Sequence, residues 1–266
     1  MLKVGSGELQ VAYREAGSGD PLFFINGTGE SSATWGPLWD RLAARAWCIG
    51  IDLRDTGASS PARAPYTPAD LASDVGAVAD ALGSGPAHVI GFSLGGAVAQ
   101  ELALSRPDLV RSTVQLSTWA RSDAWFVSQM RSWQVLRREA ADDQDAFDRA
   151  LEPWMFSPAT MEDAAALERI HAMWSGAPAQ DAEAFCRQCD ADAAHDALDR
   201  LGRIDVPALV IVGEDDICTP PRYARELAGA LRDAELVTIA DAGHCAVFER
   251  PDQVAASIER FVERVR

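Results

Sequence analysis

Ser93 lies between two glycines in Gly91-Phe92-Ser93-Leu94-Gly95. The apolar run His88-Val89-Ile90 precedes it, and Gly96-Ala97-Val98-Ala99-Gln100-Glu101-Leu102 follows with a helix-like composition. A serine on a sharp strand-to-helix turn is a nucleophile elbow, with its hydroxyl exposed at the top of a sheet. Such a turn strains the serine backbone. Side chains two residues to either side would clash, so glycine is required at both places. The positive end of the following helix would face any negative charge that develops on a substrate. Gly-x-Ser-x-Gly also occurs in ordinary turns, so nucleophilic catalysis requires a base, an acid and an oxyanion hole elsewhere in the chain.

Four histidines are available as the base: His88, His171, His195 and His244. His88 opens the strand before the elbow, His171 falls on a predicted helix, and His195 precedes the last part of the chain. Only His244, in Asp241-Ala242-Gly243-His244, follows a strand on a loop that would share the sheet end with Ser93. The acid is sought after a strand and before this histidine. Glu214, Asp215 and Asp216 all qualify, against the plainer reading of a solvated acidic turn. Asp216, which opens Asp216-Ile217-Cys218-Thr219-Pro220, is preferred, giving the chain order Ser93, Asp216, His244. That order is the one found in α/β-hydrolases and differs from the chymotrypsin and subtilisin layouts.

These residues need a sheet to position them. Gln10 to Arg14 reads as an early edge strand. Leu22-Phe23-Phe24-Ile25, Trp47-Cys48-Ile49-Gly50-Ile51, Val110 to Leu116, Ala208 to Val212 and Leu236 to Ile239 read as further strands. Several are continuous apolar runs, which suit strands buried on both faces. Thr67-Pro68-Ala69-Asp70 starts a helix, with Leu71, Val75, Val78 and Leu82 on one face. Strands alternating with helices predict an α/β fold with a mostly parallel, twisted sheet flanked by helices. The active site of such a sheet lies at the carboxyl ends of its strands.

The stretch 119–200 breaks this rhythm. It has helical patterns and no strand-like run, and it contains Trp119, Trp125, Trp133, Trp154 and Trp174. It reads as a helical cap inserted between two parts of a core, 1–118 and 201–266. The chain of 266 residues is 48% apolar, long enough for one large domain with an insertion. Its net charge of −16 argues against nucleic acid and anionic membranes as partners. No secretory leader pattern or membrane-length apolar run is visible, which predicts a cytoplasmic protein. Its expected partner is a small-molecule substrate, and it would act as a monomer or homodimer. The scattered Cys48, Cys186, Cys189, Cys218 and Cys245 do not suggest a disulfide framework. Cys186 and Cys189, one helical turn apart with no second Cys/His pair, read as packing residues, and no metal or cofactor is indicated.

Taken together, the chain resembles the α/β-hydrolase fold superfamily, in the branch of small-lid esterases, lactonases, carbon–carbon bond hydrolases and cofactor-free haloperoxidases. The resemblance rests on Gly91 to Gly96, Arg106-Pro107-Asp108-Leu109-Val110, Leu201 to Val210, Gly213 to Pro220, Ala242-Gly243-His244 and Glu249-Arg250-Pro251. It implies that Ser93 attacks an acyl carbon, His244 moves the proton, and Asp216 orients the imidazole. It implies oxyanion donors at the backbone amides of Leu94 and Thr28. A serine nucleophile argues against dehalogenation and epoxide opening, for which relatives normally use aspartate.

Two departures stand out. Relatives usually carry His-Gly where this chain has Asn26-Gly27, which puts the detail of the oxyanion hole in question. Arg54-Asp55-Thr56-Gly57 replaces a frequent Arg-Gly-x-Gly and reads as a surface-loop variant. The expected substrate is an ester, lactone or related acyl compound, small and mainly apolar. Asn26, Gly27, Trp35, Phe92, Trp119 and Trp125 are the candidate pocket residues. The alternatives are a specialised carbon–carbon hydrolase, cyclase or perhydrolase using the same triad, and a non-catalytic ligand-binding protein.

Overall fold

Apolar runs that alternate with amphipathic helices build a sheet covered on both faces. The computed structural model describes residues 1–141, 143–174 and 180–265. The strands are β1 (Leu2–Ser6), β2 (Leu9–Ala16), β3 (Pro21–Ile25), β4 (Trp47–Ile51), β5 (Ala87–Phe92), β6 (Val110–Leu116), β7 (Ala208–Gly213) and β8 (Ala234–Ile239). They form one eight-stranded sheet in the order β1-β2-β4-β3-β5-β6-β7-β8. β1–β2 and β2–β4 pair antiparallel, and every other pair is parallel. The sequence reading places no strand at Leu2–Ser6. This half-exposed edge strand buries too little apolar surface to leave a pattern.

Helices α1 (Gly36–Ala43), α2 (Pro68–Leu82) and α3 (Leu94–Ser105) belong to the first half of the sheet. A capping box at Thr67 and Asp70 starts α2, and left-handed Gly83 ends it. Between β6 and β7 lie helices α4 (Ala124–Ala140), α5 (Gln144–Met155), α6 (Pro158–Met161), α7 (Ala164–Trp174) and α8 (Ala182–Ala194). Helices α9 (Pro221–Ala230), α10 (Ala246–Glu249) and α11 (Pro251–Arg264) complete the chain.

Two apolar layers sandwich the sheet. One joins Phe23, Ile25 and Val89 to Leu71, Val75 and Leu102 of α2 and α3. The other joins Phe24, Ile90 and Ile211 to Leu38 and Trp39 of α1 and to Ile258 and Phe261 of α11. A third cluster, with Trp119, Phe126, Trp133, Phe185 and Cys189, lies in the inserted helices and reaches Cys218 and Tyr223 of the core. No described helix is long and apolar enough to cross a membrane.

Candidate active site

The elbow is strained where the sequence requires it to be. Ser93 has φ 52° and ψ −116° between β5 and α3, a conformation L-residues avoid at a cost of about 1–3 kcal/mol. A Cβ on Gly91 would overlap the Gly95 carbonyl, and one on Gly95 would overlap the Ile25 carbonyl. The Ser93 amide donates to Leu116 O at 2.9 Å, and Thr118 Oγ1 donates to Ser93 O at 2.8 Å. The turn is therefore held from β6.

The structure brings Ser93, His244 and Asp216 together. Ser93 Oγ is 3.2 Å from His244 Nε2, and His244 Nδ1 is 3.1 Å from Asp216 Oδ2. Asp216 follows β7 and is buried, whereas Glu214 and Asp215 are exposed. Its Oδ1 accepts from the amides of Cys218 at 2.9 Å and Thr219 at 2.8 Å. Thr219 Oγ1 donates to Asp216 Oδ2 at 2.9 Å and lies 3.1 Å from His244 Nδ1. This places the Nδ1 proton toward the acid and leaves the Nε2 lone pair for the serine hydroxyl. Burial disfavours the His244 imidazolium. The adjacent Cys218 sulfur and Asp216 favour it and hold its pKa well above the ordinary 6.5. Thr219 was not singled out from the sequence, although an Asp-x-x-Thr spacing is a local turn signal.

The other histidines lie elsewhere. His88 meets Ser112 at 2.7 Å inside the sheet. His195 bonds Gln100 at 3.0 Å, and burial lowers its pKa to about 4. His171 lines a cavity under the inserted helices.

The loop after β3 reaches Ser93. A Cβ on Gly27 would lie 3.2 Å from Ser93 Cβ and from the Phe92 ring, close enough that these side chains would have to give by a few tenths of an ångström. The Phe92 ring is 5.1 Å from the His244 ring. Leu94 opens α3, where helix geometry leaves its amide without an intrahelical partner. Asn26 is buried beneath the loop. Its Nδ2 donates to Thr34 Oγ1 at 2.8 Å and Glu30 Oε2 at 3.3 Å. Burial pushes the Glu30 carboxyl up to about 7, against the opposing pull of Asn26. On the other side of the loop, Thr28 Oγ1 donates to Asp192 Oδ2 at 2.6 Å, and the Gly29 amide donates to Gln188 Oε1 at 2.8 Å.

A cavity of about 690 Å³ opens from Thr28, Gly29 and Glu30 beneath α4, α5, α7 and α8. Phe147, Leu151, Met155, Leu167, Trp174 and Phe185 give it apolar walls, and Glu30, Arg137, Gln144, Asp148, Glu152 and His171 add polar and charged groups. The lining is mixed, apolar rings and aliphatic chains alternating with polar and charged groups. Trp35 is buried against Phe24 at 5.2 Å, in the layer below the sheet. Trp119 is packed on Phe126 at 4.3 Å, with its Nε1 donating to Ser122 Oγ at 2.8 Å. Trp125 is 45% exposed beside Arg222, on the outer surface. These three rings are core or surface residues, and Trp174 is the tryptophan in the cavity wall.

The departure at Asp55 is not a surface variation. Its side chain is fully buried and receives Arg187 of α8 through two bonds, at 2.9 and 2.8 Å. Tyr66 Oη and the Ala62 amide donate to it at 3.0 and 2.7 Å. Asp55 has φ 71°, where glycine would be relaxed. Its carboxylate instead ties the core to the inserted helices.

A mostly parallel sheet with a strained serine after β5, an acid after β7 and a histidine after β8 defines a hydrolase-type enzyme of the α/β class. The chain matches the alpha/beta hydrolase fold family over residues 20–251 and belongs to it. It is 34% identical over 270 residues to BpoC of Mycobacterium tuberculosis, named as a non-heme bromoperoxidase, covering 97% of this chain and 99% of that protein. The crystal structure of BpoC superposes with a TM-score of 0.88 over 96% of each chain. RutD of Azorhizobium caulinodans, named as a carbamate hydrolase, is 30% identical over 248 residues, 92% of each protein. A thermophilic esterase from Thermogutta terrifontis is 25% identical with a TM-score of 0.86, covering 99% of this chain and 98% of that one.

Proposed function

We propose that this hydrolase cleaves an ester, lactone or related acyl bond through a covalent acyl-enzyme on Ser93. The observation that supports this most directly is the relay from Ser93 Oγ to His244 Nε2 at 3.2 Å and from His244 Nδ1 to Asp216 Oδ2 at 3.1 Å. Ser93 Oγ attacks the acyl carbon as His244 takes its proton. The tetrahedral oxyanion is held by the amides of Leu94 and Thr28, each such donor contributing about 3 kcal/mol. His244 then protonates the leaving group, and water, activated by the same imidazole, releases the acid. Asp216 stabilises the imidazolium throughout.

Residues 119–200 act as a cap over the site, and the cavity beneath them receives the substrate. Its mixed lining supports a small substrate with a polar group beyond the acyl carbon. The five cysteines are free and buried, which supports a cytoplasmic setting. The similarity to BpoC favours a second reading of the same triad, in which peroxide replaces water at deacylation and the product is a peracid. Turnover of a short p-nitrophenyl ester tests the main reading: Ser93→Ala should abolish it while the circular dichroism spectrum stays unchanged. Retained turnover would rule out the acyl-enzyme.

A further inference from the structure

We propose that Asp192, on cap helix α8, is a positioning residue that sets Thr28 of the oxyanion loop, so that the cap completes the catalytic site. This rests on the serine mechanism above and adds to it a residue outside the triad. The loop is anchored on its core side by Asn26, through Thr34. On its cap side it has two side-chain anchors, Asp192 to the Thr28 hydroxyl at 2.6 Å and Gln188 to the Gly29 amide at 2.8 Å. Residues 188 and 192 are four apart and share one face of α8. The helix is itself fixed, because Arg187 is clamped to buried Asp55. The Thr28 amide, one of the two oxyanion donors, thus takes its position from a rigid element of the cap.

Asp192 is an expensive residue for packing alone. It is 2% exposed, and among the described residues its Oδ1 has no hydrogen-bond partner. Burial pushes its carboxyl up to about 7, with the Thr28 hydroxyl and His244 opposing the rise. A buried carboxyl with no cation bonded to it costs several kcal/mol, so its short bond to Thr28 must serve something besides filling space. The bond survives protonation. A carboxylate accepts from the Thr28 hydroxyl, and a neutral acid still offers an oxygen and a donor. An asparagine amide does the same, and this separates the effect of the hydrogen bond from that of the charge.

The test compares Asp192→Ala, Asp192→Asn, Thr28→Val and Asp192→Ala/Thr28→Val in turnover of a short p-nitrophenyl ester and in the rate of fluorophosphonate labelling at Ser93. A loosened oxyanion donor should lower kcat about 10- to 100-fold with KM within about twofold. Asp192→Asn should stay within about threefold of the unmodified enzyme. The double variant should be no slower than the slower single variant, because both changes break one bond. Wild-type kcat in folded Asp192→Ala, a rise in KM alone, or an Asp192→Asn as slow as Asp192→Ala would overturn the proposal. If Asp192→Ala does not fold, Thr28→Val against Thr28→Ser carries the same test, with Ser expected to restore kcat. Labelling of the unmodified protein is read separately. Its absence refutes the serine mechanism, whereas uniform labelling of all variants refutes only the role of Asp192.

Discussion

Replacing Arg187 by leucine should destabilise the protein by about 3 kcal/mol, because it strands a buried charge. The Asp55 side chain is fully buried, and Arg187 is 23% exposed. After the substitution the carboxylate keeps Tyr66 Oη and the Ala62 amide but has no counter-ion. Breaking a buried pair from one side costs about 3–5 kcal/mol, and the partial exposure of Arg187 argues for the lower end. Removing both partners should cost less than removing one. Asp55→Gly takes away the stranded carboxylate and relaxes a backbone at φ 71°. Asp55→Gly/Arg187→Leu should therefore be more stable than Arg187→Leu by at least ~1 kcal/mol. Urea unfolding at neutral pH, followed by tryptophan fluorescence, measures both values. Five of the eight tryptophans lie in 119–200, so the probe reports largely on the stretch between β6 and β7 that carries Arg187. An Arg187→Leu variant within about 0.5 kcal/mol of the parent, or a double variant less stable than Arg187→Leu, would refute the argument.

Three further outcomes are expected. Thr219→Val removes the hydroxyl shared by Asp216 and His244 and should lower kcat about tenfold with KM unchanged, the worth of one hydrogen bond of about 1.4 kcal/mol. The pKa of His244 is raised and the base must be neutral to act. Activity is therefore lost as pH falls through that pKa, and the acid limb of kcat/KM should lie above 6.5; a pH profile with its limb at or below that value would contradict the stated balance of burial and Asp216. Glu30, raised from 4.5 to about 7, binds its proton more tightly in the folded state, so its contribution to stability falls as pH rises from about 4.5 to about 7 and stays low above. Glu30→Gln removes this penalty and should gain on the order of 2–3 kcal/mol at pH 8 relative to pH 4.5, measured by urea unfolding at both pH values.

The site was legible where its chemistry follows from local sequence. Gly91 and Gly95 announce the elbow because a Cβ at either would overlap neighbouring backbone, and the apolar runs at Leu22 and Ala208 announce strands buried on both faces. The neighbourhoods of Asp216 and His244 follow from being loops after strands. Thr219 was equally local and was readable from its spacing to Asp216. Asp55, Arg187 and Asp192 were not. Their partners lie more than 130 residues away along the chain, and nothing in the local sequence marks such a pairing. The tryptophans mislead for a related reason. Whether a ring faces a cavity or a core depends on neighbours from other helices, so Trp119, next to β6, turns into a cluster with Phe126 and Trp174 reaches the cavity instead.

The central claim is that Ser93 is the nucleophile, and covalent trapping tests it most directly. Intact-mass and peptide analysis after treatment with a fluorophosphonate should find one adduct, on Ser93, and none in His244→Ala, where the base is missing. An unlabelled protein, or an adduct on another residue with Ser93 free, would contradict the account.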